Sequence, residues 1–233
     1  MTTRQSSLLD RYFYFGMSLL IAAVVIYGFG HTVDHYLIHA TPIRPWILYL
    51  HAIVFSGWVL FFILQSTLIR THKVSIHRTI GWFGVALGVM IPILGLSTAF
   101  TTDRFNIRNF HMMGAAPFLA IQLCDMTSFT IAFALAIYWR RKPEFHRRLI
   151  LIASCVLTAA AFSRFPSFPI TATYVGVDLL IFLGVFRDLI VTRRVHKVYL
   201  YALSLLIVAQ SSAMYLALAR PVFWVKFTTA ILQ

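Results

Sequence analysis

The sequence predicts an all-α, polytopic membrane protein with seven transmembrane helices around a core of the second to fifth. Three observations predict it. Of 233 residues, 60% are apolar and only 12% charged, about half the charged share of a soluble domain. The apolar residues form long blocks, several of them exceeding the roughly 18 residues a bilayer-spanning helix needs. Short basic clusters divide the blocks.

In order, the blocks predict helices over 12–31, 45–69, 78–101, 112–139, 148–165, 170–190 and 198–219. The first follows a polar stretch, Met1 to Arg11, and continues into Tyr27 and His31 without a small-residue cleavage site, so it reads as a span and not a signal peptide. All 233 residues form one integral membrane domain, with core helices in 45–165 and the others flanking it.

Lys and Arg gather in cytoplasmic loops. The N-terminus (Arg4, Asp10, Arg11) and the clusters at 70–78, 140–148 and 187–197 carry a net +11, against +4 on the other side. The N-terminus is therefore expected inside and the C-terminus outside, in a cytoplasmic or plasma membrane. The net charge of +13 reflects this topology and not a nucleic-acid partner; the expected partner is the lipid bilayer. Cys124 and Cys155 fall within spans and read as packing residues.

Ionisable groups inside spans are costly and therefore informative. Asp125 and Asp178 sit near mid-span, where a hydrogen bond to Tyr, Thr or His is expected. The nine histidines are more conspicuous. His51, His77, His111 and His146 fall one per helix on the second to fifth helices. Because the chain alternates direction, His51 and His111 belong to the outer level and His77 and His146 to the inner, each pair on alternate helices. Haem iron accepts two imidazole nitrogens on opposite faces, and a helical bundle can hold the macrocycle between them. Arg78, Arg147 and Arg148 beside the inner pair, and Arg104 and Arg108 near the outer one, would balance propionate charge.

The arrangement resembles the cytochrome b561 transmembrane oxidoreductases over about 100 residues. The stretch runs from Leu50-His51 through Ser75-Ile76-His77 and Asn109-Phe110-His111, followed by Gly114, to His146. It departs from that family in lacking Ser-Leu-His-Ser before the fourth helix, where Asn109-Phe110-His111-Met112 stands, and in having a seventh helix. The resemblance implies one or two haems b, ligated by His51 with His111 and by His77 with His146. It also implies a donor site at the basic loop, with Arg70 and Lys73 as its residues. The function implied is transmembrane electron transfer from an inner reductant to an outer acceptor. A small-molecule electron donor or acceptor or a quinone, and a second copy of the chain in a homodimer, are further partners to expect.

Other readings stay open from the residues. His77-Arg78 and His146-Arg147 also suit ordinary interfacial anchoring. His31, His35 and His39, at i, i+4, i+8 with Asp34 beside them, suit an additional or alternative transition metal such as Zn, Cu or Fe. They equally suit proton shuttling or a wet helix end. Such a metal site would make the protein a metal-dependent membrane enzyme; interfacial histidines alone would suit a non-catalytic subunit or transporter. No P-loop, dinucleotide-binding, C-x-x-C, G-x-S-x-G or H-E-x-x-H motif occurs.

Overall fold

The computed structural model describes residues 3–166 and 168–232. Arg4 and Gly114, used above, lie outside the residues whose side chains are described. The described chain holds nine α-helices: α1 (Thr3–Gly30), α2 (Trp46–Arg70), α3 (Val74–Phe110), α4 (Leu119–Tyr138), α5 (Pro143–Val156), α6 (Ala159–Phe162), α7 (Thr173–Thr192), α8 (Lys197–Ala219) and α9 (Val222–Leu232). Among the described residues, six segments are long and apolar enough to cross a membrane: those carried by α1, α2, α3, α4, α5 with α6, and α8. α7 matches them in length, at 20 residues, but carries Asp178, Arg187 and Asp188.

Several boundaries differ from the sequence reading, each for a local reason. α3 does not stop at 101 but runs 37 residues, because the polar stretch after Phe100 contains no helix breaker and finds partners beyond the apolar layer. Arg44 donates to Asn106 Oδ1 at 2.9 Å, and Arg104 donates to the Ile231 carbonyl at 2.7 Å. The helix ends where His111 turns left-handed, at φ 53°, so His111 closes the third long helix and does not open the fourth. A 3₁₀ segment, Met113–Phe118, precedes α4.

The block expected over 148–165 starts earlier, at Pro143, which suits a first helical position because no amide donor is needed there. It breaks after Val156, where the buried Thr158 hydroxyl donates to the Cys155 carbonyl at 2.6 Å and competes with the helical ladder. α9, not anticipated, packs against α3 and the 3₁₀ segment, with Trp224 Nε1 donating to the Pro117 carbonyl at 2.9 Å.

α5 is central. It touches α1, α4, α7 and α8, and 67% of the α5–α6 span is buried. Trp58 of α2 reaches Ser154 of α5 at 3.2 Å and meets Phe129 and Phe133 of α4 edge-on. On α3, Gly88 faces the Phe133 ring and Gly95 faces the Met126 sulfur. The missing side chains let α4 approach closely, the way small residues pack membrane helices. The outcome is an α2–α5 unit braced by α1, α7 and α8.

Candidate functional site

The basic end of the bundle brings two of the sequence-predicted histidines together. α2 ends at a tight turn through His72, which is left-handed at φ 62°, and α3 begins at Val74. This puts His77 on the first turn of α3, where its amide donates to the Lys73 carbonyl at 3.1 Å. Pro143 starts α5 so that His146 falls on its first turn. The two rings then come together edge-on, with centroids 6.4 Å apart and planes at 76°.

That separation has chemical meaning. Two metal–nitrogen bonds of about 2.1 Å, plus about 1.1 Å from each nitrogen to its ring centre, span roughly 6.4 Å. Behind one ring, His146 Nδ1 lies 2.9 Å from the Ala136 carbonyl. As an Nδ1–H donor it leaves Nε2 as the free nitrogen, the usual arrangement behind a ligating histidine. His77 Nδ1 is buried without a partner. One turn along the same face of α3, an added Cβ at Gly81 would meet nothing within 4 Å.

The basic residues expected around this pair divide into two sets. Arg78 is exposed beside His77, and Lys73, also exposed, is the residue before α3. Arg70 lies 4.2 Å over the Phe15 ring and 5.5 Å over Tyr12, with its Nε buried and unpartnered. Arg147 is held otherwise, donating to Glu144 at 2.7 Å and to Asp10 at 3.3 Å.

Arg147 belongs to an ion network that the sequence reading did not anticipate. Arg148 and Arg187, each 1% exposed, share Asp188, which is fully buried. Arg148 forks onto both Asp188 oxygens at 2.8 and 2.7 Å, and Arg187 reaches Asp188 Oδ1 at 2.8 Å. Arg187 also pairs with Asp10 of α1, and Arg148 with Glu144 at 2.6 Å. Three arginines and three carboxylates cancel. The network ties α1, α5 and α7 together next to His146.

His196, in the turn before α8, accepts from the Val198 amide at 3.2 Å and so caps that helix. Burial, and then the nearby Arg148 guanidinium, hold its pKa below the usual histidine value of 6.5. A protonated imidazole nitrogen cannot accept, so the cap is intact above the unfolded pKa and is lost as pH falls through the lower folded value. The protection of the Val198 and Tyr199 amides, taken relative to the intrinsic exchange rate at each pH, is expected to fall as pH drops through the depressed His196 value. His196→Ala should show low, pH-independent protection at these amides; protection equal to that of the unaltered protein would contradict the cap.

The other predicted sites do not assemble. His51 stacks on Phe55 with centroids 3.9 Å apart, its Nδ1 buried and unpartnered. Phe55 meets Gly95, so His51, one turn nearer the outer end, stands level with residues near 99 of α3. His111 lies about twelve residues farther, roughly 18 Å along the helix, and is exposed. The overhang of α3 thus separates the expected outer pair.

The outer cluster is also dispersed. α1 ends at Gly30 and a π-helical turn covers Asp34–Ile38, so the i, i+4 spacing does not follow one α-helical face. His31 Nδ1 lies 2.9 Å from the Tyr27 carbonyl, His39 pairs with Asp34 at 2.6 Å, and His35 is exposed. Among the described residues no three His, Cys, Asp or Glu side chains converge on a metal-sized site. Asp125 does find the expected hydroxyl, accepting from Tyr174 at 3.0 Å.

The fold and this site define a class: a helical membrane bundle with two neighbouring imidazoles at its basic end. The chain matches no protein-family model, no curated protein and no solved structure.

Proposed function

We propose that the protein is a membrane-embedded b-type haem protein that takes electrons from a reductant at its basic face. The observation that carries this reading is the His77–His146 pair, 6.4 Å between ring centres, the spacing of two imidazoles on opposite faces of one metal. His77 and His146 would hold the haem, with Arg78 as the cation for a propionate. Bound there, haem supplies a one-electron couple whose potential follows axial ligation and burial.

The chain's own residues prepare that chemistry. The Ala136 carbonyl fixes the His146 tautomer and raises its basicity. Lys73, Arg78 and the neighbouring Arg70 give the face a positive field that draws in an anionic reductant. The neutral Arg–Asp network keeps α5, and so His146, in position without competing for the donor. Positive-inside bias orients the basic end to the cytoplasm, and α7 is read as the seventh span, its buried charges paired at that end.

The test is spectroscopic. Protein purified in detergent from haem-sufficient cells is expected to give sharp low-spin b-type bands on reduction, with about one haem per chain. Colourless protein, or haem with a high-spin spectrum, would overturn the reading.

A further inference from the structure

Asp178 has no part in the electron path. It lies on α7, one turn beyond Tyr174, and one of its carboxylate oxygens is buried without any partner. Gln210, buried on α8, lines the same cleft from across the interface. Both side chains line a cleft of about 520 Å³ between α7 and α8, together with Tyr174, Ser211, Met214 and Tyr215. That volume is within the range of small-molecule sites, roughly 300–1,000 Å³, which are mostly apolar with a few fixed polar groups.

The charge balance of the cleft is one-sided. Asp188 answers two arginines, and Asp125 accepts from Tyr174, but among the described residues no Lys, Arg or His lines the cleft. The Tyr174 hydroxyl is already committed to Asp125, so it brings Asp178 no proton. A carboxylate oxygen buried in this wall without a partner is unfavourable until a donor or cation reaches it. Tyr174 and Tyr215 add aromatic rings, which attract cations.

From this we propose that the α7–α8 cleft binds a small organic ammonium ion, an apolar body carrying one protonated amine. Asp178 receives the ammonium, Gln210 orients the carboxylate, and the tyrosine rings and Met214 enclose the apolar body. The site is separate from the histidine pair and does not depend on haem.

Phenethylamine tests it, with phenethyl alcohol and 3-phenylpropionate as neutral and anionic counterparts of similar size. On the purified, full-length protein, saturable binding is expected for the amine, by ligand-observed NMR or thermal shift, at least tenfold tighter than for either counterpart. Asp178→Asn keeps the shape and removes the charge, and should lower amine affinity at least tenfold. Ser211→Phe leaves Asp178 in place but fills the cleft from α8, and should abolish binding. If either variant is not folded, the other decides. Equal affinity for amine and alcohol, no saturable amine binding to the unaltered protein, or unchanged amine binding in a folded variant would overturn the proposal.

Discussion

His146→Ala is expected to leave the purified protein without low-spin haem, and His77→Ala to do the same. Each variant removes one of the two imidazoles, 6.4 Å apart between ring centres, proposed to ligate a single iron. The loss of haem affinity should exceed the roughly 10–100-fold that follows from removing only the hydrogen bond behind a ligand. Free imidazole added to either variant should restore part of the low-spin spectrum, which a merely misfolded bundle would not allow. His111→Ala and His39→Ala are the controls, since both residues are exposed and away from the pair; they should keep full haem content. Retention of low-spin haem in both His77→Ala and His146→Ala would end this assignment.

The second large effect concerns stability. Asp188→Ala deprives Arg148 and Arg187 of their shared acceptor while both stay buried. Removing one partner of such a pair costs about 3–5 kcal/mol, a large part of the total stability of a typical domain. Chemical denaturation in detergent, followed by circular dichroism, should show the transition moved far toward lower denaturant or no folded baseline at all. Glu144→Ala should cost much less, about 1 kcal/mol or below, because Glu144 is half exposed and Arg148 keeps Asp188. Equal stability of Asp188→Ala and the unaltered protein would show that the network does not brace α5.

The apolar blocks made the long helices legible in the sequence, but block boundaries mark the apolar layer and not the helix. Residues after Phe100 read as a loop because they are polar, yet α3 carries them as helix to Phe110. That one extension displaces His111 from the fourth helix and dissolves the expected outer pair. The inner pair was legible because His77 and His146 both sit on first turns, where chain direction alone sets their level.

The ion network was less visible. Arg187 and Asp188 counted as loop charge, and nothing local links them to Asp10 on α1, 177 residues away. Their signal was a compact one: an Arg-Asp pair adjoining an apolar block, with an acid at the same level on another helix. The outer cluster misled in the opposite direction. Its i, i+4, i+8 spacing describes a single face only on an unbroken α-helix, and α1 stops at Gly30, one residue before His31.

The most direct test is the electron paramagnetic resonance spectrum of the oxidised protein at low temperature. Imidazole planes at 76° predict a strongly axial low-spin ferric signal with a large leading g value. A rhombic low-spin signal, the mark of near-parallel imidazole planes, would contradict the geometry of the pair. A high-spin signal, or no ferric haem at all, would contradict His77 and His146 as the two ligands.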